Sequence, residues 1–482
     1  MDARSHPLIV DLDRTLLATD TLAESWLLLL SRSPLLALLA MLKLFKGRIA
    51  FKRYLAWHTK LDINLLPRNE AFYDWMMDQK SRLQRPLHLV TAADQSIADQ
   101  VQAAFPEFDT ATGTSGDINL KGSNKASYLA ERFPEGFTYA GDSSADLQVW
   151  KQAQGAVLVG VSAPVRRQAE ALDCTIEKAF PGNDAPLKTW AKAIRLHQWS
   201  KNVLVFAALF LSHSYFSPLA WMQILAGFVL MGIAASGTYL ANDLLDLEAD
   251  RAHATKKERP FAAGRLKVEQ GVIASVLMIG LGTLGMMLIT LPAALMLACY
   301  LALTLTYSFG LKRVALLDVV ALACLFSLRI GLGAALISVA VSEWLLVFSM
   351  MFFFSLSLAK RQTELERQHA RGEEEIKGRG YRASDRFLSL ALGTAAAAVS
   401  ILILCLYVMD AAYPSGLYPA PQFLWCLPAF VGVWVLRIWL LASRGDLHDD
   451  PVAFALKDRT SIGLFGSIGI GFFLATFGPA AS

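Results

Sequence analysis

From Val203 to Leu240 the chain carries no Lys, Arg, Asp or Glu. A run of that kind restricts the fold sharply, because a helix that crosses a bilayer uses roughly 20 apolar residues. Residues 203–478 divide into about nine such spans: 203–217, which is short, then 221–246, 271–288, 291–309, 314–340, 343–360, 386–410, 421–443 and 460–478. Residues 1–200 lack such runs and read as a soluble fold. The whole chain is 54% hydrophobic and 18% charged, which suits a membrane protein better than a soluble one. A net charge of +4 is too small to suggest a nucleic-acid partner.

The connectors between the spans alternate in character. "SHSYFSP", "TLP", "SVAVSE" and "DAAYPSGLYPAPQ" hold no Lys or Arg, whereas "RAHATKKERPFAAGRLK", "LKR", "KRQTELERQHARGEEEIKGRGYRASDR" and "SRGDLHDDPVAFALKDR" are rich in them. The positive-inside rule places the second set in the cytoplasm. With nine spans, the N-terminal region falls on the same side, as does the opening "MDARSHPLIVDLDRTL", whose acids interrupt the apolar core of a signal peptide. The expectation is a multi-pass protein of the plasma (inner) membrane. A basic linker, 186–202, would lie at the interface with Trp190 and Trp199 as anchors. None of the five cysteines forms a CxxC pair, so they read as packing residues.

The stretch "ANDLLDLEADRAHATKKERPFAAG", residues 241–264, closes the charge-free run. Asp243, Asp246 and Asp250 are spaced by three and four residues, which puts them on one face of a helix. Three carboxylates there need a cation, and hard oxygen ligands suit Mg²⁺ bridging to phosphates. Arg251, Lys256, Lys257 and Arg259 follow at once and could hold the remaining phosphate oxygens. Deeper in the chain, Arg329 lies within an apolar span, where a charge normally faces a cavity or a partner. Asp318 is eleven residues earlier, on the same side at roughly 16 Å along the helix. Either the two form a structural ion pair, or Arg329 helps to hold a phosphate.

Asn242-Asp243-x-x-Asp246-x-x-x-Asp250-Arg251, then Arg259-Pro260 and Gly264, resembles the first aspartate motif of UbiA-superfamily transferases. That resemblance implies an all-helical intramembrane enzyme binding a substrate diphosphate through Mg²⁺, in most members to move a prenyl group onto an aromatic ring. The second motif of the family usually has two Asp residues with a Tyr and a Lys. Here the region offers Tyr307, Lys312 and a single Asp318. With "RLHQWSKNVLVFA", "SLAKRQTEL", "RGYR" and "DPVAFALKDRT", the chain is closer to the branch that resembles decaprenyl-phosphate phosphoribosyltransferases. The resemblance implies transfer of phosphoribose from phosphoribosyl diphosphate to a polyprenyl phosphate. An aromatic or tetrapyrrole prenyltransferase is the alternative. A transporter or receptor with a regulatory pseudo-phosphatase domain is a further one, although transporters show broken helices near the midplane rather than acids at a helix end.

In the soluble half, "LIVDLDRTLLATD" reads as a buried strand ending in Asp11-x-Asp13-x-Thr15, and "HLVTAAD" as a second strand ending at Thr91. "KGSNKASYLAERF" starts a helix with Lys121 and Lys125 nearby, and "FTYAGDSSAD" is a third strand leading to Asp142 and Asp146. Strands alternating with helices imply a Rossmann-like α/β fold whose site lies at the carboxyl edge of a parallel sheet. Paired acids there suit Mg²⁺-assisted phosphoryl transfer with one Asp as nucleophile.

These four pieces, in this order, resemble the haloacid dehalogenase superfamily of phosphohydrolases. The resemblance implies that Asp11 takes the phosphoryl group and that Asp13 is the general acid–base and offers a carbonyl to the metal. Thr91 would orient the phosphate, and a lysine (Lys125 preferred to Lys121) would neutralise it. Asp142 would bind Mg²⁺ with support from Asp146. Arg14 stands where this family often has Gly. Residues 1–185 would be this domain, with a helical cap at about 20–80 that includes "WLLLLSRSPLLALLAMLKLF" and rests on the membrane surface; residues 203–482 would be the transferase domain. A phosphatase on the cytoplasmic face could remove the 5-phosphate that phosphoribosyl transfer leaves on the sugar.

Overall fold

The computed structural model describes residues 6–116, 119–182, 187–372, 380–447 and 451–479. Arg379 of the "RGYR" stretch, most of the basic loop around it and residues 448–450 lie outside the described residues. The chain divides into two compact units, one of residues 1–195 with 239–276 and one of residues 196–238 with 277–482.

The first unit is built on a six-stranded sheet in the order β3-β2-β1-β4-β5-β6, with every pairing parallel. The strands are β1 (Leu8–Val10), β2 (Leu87–Asp94), β3 (Thr110–Thr114), β4 (Thr138–Gly141), β5 (Gly155–Val159) and β6 (Thr175–Phe180). Strands β1, β4 and β5 are buried throughout, which is why they read as continuous apolar runs. The chain passes from β1 to β2 on one side and to β4 on the other. Strand β1 therefore stands at the topological switch point where open α/β sheets form their sites.

Four helices fall between β1 and β2: α1 (Thr21–Arg32), α2 (Pro34–Lys43), α3 (Arg48–His58) and α4 (Glu70–Leu83). Asp20 caps α1 by accepting from the backbone of Leu22 and Ala23. The apolar run through α1 and α2 is cut at Ser33-Pro34, so it never reaches the length of a span. The remaining helices of the sheet domain are α5 (Gln95–Ala104), α6 (Ser123–Arg132), α7 (Leu147–Trp150) and α8 (Ala163–Glu170), with α9 (Leu187–Ala193) following β6.

Among the described residues, eight helices are long and apolar enough to cross a membrane. After the short α10 (Ala207–Leu211), they begin with α11 (Pro218–Leu245). Helix α12 (Leu247–Ala252) is short, and α13 (Val268–Ile289), α14 (Leu291–Phe309), α15 (Leu317–Leu336) and α16 (Glu343–Ala370) follow. The others are α17 (Arg386–Tyr407), α18 (Cys426–Ser443) and, after the short α19 (Pro451–Lys457), α20 (Arg459–Phe477).

The expected count of about nine is thus not met. The missing span is 203–217, which is split between a 3-10 segment (Leu196–Phe206), α10 and a second 3-10 turn (Ser214–Phe216). His213, with a φ of 54°, interrupts the backbone between them. The second unit packs its core where Phe326, Phe353, Trp434 and Trp439 meet. The expected interfacial anchors are also engaged by protein. Trp190 meets Phe261 edge-on in the first unit, and in the second Trp199 donates to Ser236 Oγ at 2.9 Å.

Candidate functional site

At the carboxyl edge of the sheet, Asp11 follows β1, Thr91 lies in β2 and Asp142 follows β4. Parallel pairing of β1 with both neighbours brings the three positions together. Carboxylate oxygens of Asp11, Asp142 and Asp146 all lie within 4.8 Å of one another. Lys125, on α6 and almost wholly buried, reaches Asp11 Oδ1 at 3.0 Å and donates to Tyr139 Oη at 2.7 Å. Lys121 is exposed at the rim. Of the two candidate lysines, Lys125 is therefore the one that meets Asp11.

Asp146 has little freedom. Its Oδ2 accepts from the backbone of Asp142 and Ser143 and from Ser143 Oγ, and its Oδ1 accepts from Tyr139. It holds the turn on which Asp142 sits. Asp13 Oδ1 accepts from the Thr21 backbone at 2.7 Å, at the start of α1. Thr91, fully buried, accepts from the Ala93 backbone. Arg14 adopts a φ of 60°, a conformation that glycine enters without strain.

Burial pushes the Asp13 carboxyl up to about 7, with the nearby Asp20 charge acting in the same direction. The Asp142 carboxyl is pushed to about 8, first by burial and then by Asp146 and Asp11. Burial also raises Asp11, against the pull of Lys125. Carboxylates of Asp11, Asp142 and Asp146 held this close form an oxygen donor set that suits a divalent cation.

A cavity of about 210 Å³ opens between this edge and the helices that follow β1. Asp13 and Asp20 line one side, and Arg48, Phe51 and Lys52 of α3 line the other. Lys52 Nζ donates to the Ala92 carbonyl at 2.6 Å and to Asn119 Oδ1 at 3.1 Å.

The aspartate-rich stretch also belongs to the first unit. It does not form one continuous helix. Asp246 stands between α11 and α12 with φ −95° and ψ 11°, so the expected single helical face is broken at its middle residue. Asp243 and Asp250 nevertheless share a cation: Arg259 Nη1 lies 3.1 Å from Asp243 Oδ1 and 2.7 Å from Asp250 Oδ2. Arg195 also pairs with Asp243 and stacks over Tyr239, with 5.1 Å to the ring centroid. Burial raises the Asp250 carboxyl, and Arg259 opposes that shift. In this structure guanidinium groups, not a metal, balance the charge of these two buried acids. Asn242 is half-buried, and Lys256 is exposed on the loop beyond α12.

Arg251 departs from its expected place on a phosphate. Its guanidinium is buried, with Nη1 and Nη2 at 3.0 and 2.7 Å from the two oxygens of Glu24, and Nε donates to the Ala262 carbonyl. The pair draws α12 to α1.

In the second unit, Asp318 does not pair with Arg329. Arg361 Nε lies 3.0 Å from Asp318 Oδ2, and Tyr381 donates to Oδ1 at 2.7 Å. Arg329 instead donates to Tyr300 Oη at 3.0 Å, Asn202 Oδ1 at 3.2 Å and the Leu325 carbonyl at 2.6 Å. Uncharged oxygens and the faces of Tyr300 and Phe326 thus surround that buried charge. Tyr307 lies near the end of α14 and Lys312 in the turn beyond it, both half-buried.

A sequence model of the UbiA prenyltransferase family matches residues 203–462, more than half of the chain. The chain belongs to the UbiA prenyltransferase family. Within that family it is 45% identical over 458 residues to a Sinorhizobium fredii protein described as uncharacterized protein y4nM, a match covering 95% of this chain and 89% of that one. It is 31% identical to the nodulation protein NoeC of Azorhizobium caulinodans, covering 58% of this chain and 90% of that one. The same shares and identity describe its match to a decaprenyl-phosphate phosphoribosyltransferase of Mycolicibacterium smegmatis. A solved UbiA homologue from Archaeoglobus fulgidus, bound to GPP and Mg²⁺, is 14% identical, with 59% of this chain and 96% of that one covered at a TM-score of 0.44.

Sequence reasoning about this UbiA-family chain left out Arg195, Glu24, Arg48 and Lys52. Arg195 stands in the quoted "RLHQWSK" stretch, and a lone base before a span carries no further signal. Glu24 and Lys52 belong to helices whose packing partners are distant in the chain.

Proposed function

We propose that the protein transfers phosphoribose from phosphoribosyl diphosphate to a polyprenyl phosphate, and that its N-terminal part is a haloacid-dehalogenase-type phosphohydrolase that removes the 5-phosphate of the product. One observation carries this reading. Within a single compact unit, the buried Glu24–Arg251 pair joins the aspartate motif to a sheet edge where Asp11, Lys125 and Asp142 meet. The Mycolicibacterium relative and the single Asp318 of the second motif favour phosphoribose over a prenyl group as the moiety transferred.

In the transferase, Asp243, Asp246 and Asp250 would hold the metal. Arg195 and Arg259, which neutralise two of these acids, are the nearest cations for the diphosphate oxygens. Asn242, Lys256, Tyr307, Lys312, Asp318 and Arg329 are the further candidates for substrate contact, and Arg251 acts through its hold on Glu24. The lipid phosphate would attack the sugar C1 as diphosphate departs.

In the phosphohydrolase, the Asp11 carboxylate would attack phosphorus while the sugar oxygen leaves with a proton from Asp13. Water then cleaves the aspartyl phosphate, with Asp13 accepting its proton. Thr91 and Lys125 would hold the phosphoryl oxygens, with Lys121 at the rim, and Asp142 and Asp146 would complete the metal site. At both places Mg²⁺, when bound, supplies positive charge against the crowded phosphate and carboxylate oxygens. The charge asymmetry of the loops favours a cytoplasmic position for both sites at the plasma membrane.

The test is to incubate membranes with labelled phosphoribosyl diphosphate and polyprenyl phosphate, with and without Mg²⁺. Wild type should release a dephosphorylated lipid, and full-length Asp11→Asn should accumulate the form heavier by one phosphate. If both yield the same phosphorylated lipid, the phosphohydrolase serves another substrate. A prenylated ring compound in place of a ribosylated lipid would favour the prenyltransferase alternative.

A further inference from the structure

Helix α2 is packed inside out. It turns its small residues, Ala37 and Ala40, into the protein and its large ones into the surroundings. Leu35, Leu38 and Leu42 are 77%, 61% and 58% exposed, and Phe45, in the turn that follows, is 89% exposed. Contiguous apolar exposure on this scale marks an interaction surface.

Charge identifies what covers it. From Ser25 to Leu61 there is no Asp or Glu, while Arg32, Lys43, Lys46, Arg48, Arg53 and Lys60 fall within that stretch. A segment whose own charges are all basic, next to an exposed apolar face, suits an anionic bilayer surface. The position agrees. Arg32, two residues before α2, pairs with Glu248 at 2.8 Å, and Glu248 lies three residues beyond the end of the membrane-spanning α11. The helix thus starts beside the end of α11.

The same segment walls the cavity at the sheet edge. Leu44 and Arg48 line that cavity, while Phe45, between them, points outward. We propose that residues 34–58 form a membrane-docking element that lays the apolar face of α2 and Phe45 in an anionic bilayer. This brings the cavity to phosphate esters carried on lipids. The second part rests on the phosphohydrolase reading; the docking itself does not.

Full-length protein with its native cysteines replaced, bearing a spin label at Leu38→Cys or Phe45→Cys, is reconstituted in phosphatidylcholine–phosphatidylglycerol vesicles. Labels reached by oxygen and shielded from an aqueous nickel chelate support docking. Labels open to the chelate overturn it, as does dipolar broadening between copies, which would make a second chain the occupant. In a second arm, Leu38→Ser/Leu42→Ser/Phe45→Ser is compared with wild type on p-nitrophenyl phosphate and on a long-chain alkyl monophosphate held in the same vesicles. Loss of docking should lower the vesicle rate roughly tenfold or more through lost effective concentration, leaving the soluble ester unaffected. An equal fall on both esters, or wild-type hydrolysis of the soluble ester alone, overturns delivery from the bilayer. If wild type cleaves neither ester, the phosphohydrolase reading fails and the spin labels still decide the docking.

Discussion

Glu24 and Arg251 are 227 residues apart in the chain and meet as a buried ion pair with two parallel contacts, while Thr19 Oγ1 donates to the same carboxylate at 2.6 Å. One residue stands in the first helix after β1 and the other directly after the three aspartates. Removing one partner of such a pair leaves a buried charge uncompensated and costs about 3–5 kcal/mol. Glu24→Gln should therefore lower the unfolding temperature and reduce transferase activity, although Glu24 lies outside the candidate membrane spans. Glu24→Leu/Arg251→Met should recover most of the stability. A fully stable Glu24→Gln protein that loses only substrate affinity would return Arg251 to the phosphate.

Asp243→Asn/Asp246→Asn should abolish transfer while the protein still folds, since Arg195 and Arg259 are part-exposed to solvent and Arg259 keeps Asp250 as a partner. The expected loss is roughly 100-fold or more, in keeping with loss of a metal that stabilises a departing diphosphate. Transfer assays on well-expressed protein check this, and normal turnover would exclude a metal at these acids.

Acid titration at the sheet edge has a definite sign. Asp142 is held at about 8 and Asp13 at about 7, above the values near 3.9 of an unfolded chain. Their protonated forms thus favour the folded state below that unfolded value, and the contribution is lost as pH rises through about 7 to 8. In EDTA the unfolding temperature should fall between about pH 4 and pH 8, and Mg²⁺ should reduce that fall by binding the ionised acids. Apparent Mg²⁺ affinity should rise over the same interval. An EDTA profile that climbs with pH would contradict the arrangement of Asp11, Asp142 and Asp146.

Arg361→Leu should be among the most damaging changes in the helical part. It removes the guanidinium beside Asp318 Oδ2, an acid with no exposed surface, while Tyr381 still donates to Oδ1, at a cost of about 3–5 kcal/mol. Thermal unfolding in detergent measures it. A neutral outcome would mean that Arg329 or another cation takes over Asp318.

Much of the architecture was legible because it is set by local pattern. Buried strands such as Leu8–Val10 and Thr138–Gly141 lie where the sequence placed them, and spans such as Leu291–Phe309 appear at the lengths expected. The segment expected as a span at 203–217 is divided into short helical pieces, because hydropathy does not reveal a left-handed backbone at His213. Spacing likewise placed Asp243, Asp246 and Asp250 on one helix but not the break at Asp246. Glu24 with Arg251, and Arg361 with Asp318, are long-range partnerships. Periodicity carries no information about them.

Gly264 has a φ of +66°, and a Cβ there would stand 3.0 Å from Pro67 and 3.1 Å from Ala18. The connection between two spanning helices is thereby moulded to the surface of the sheet domain by a residue too small to be replaced. Any side chain at this position would have to displace Pro67 or Ala18, so the loop after the aspartate motif can lie this close to residues 18 and 67 only through glycine.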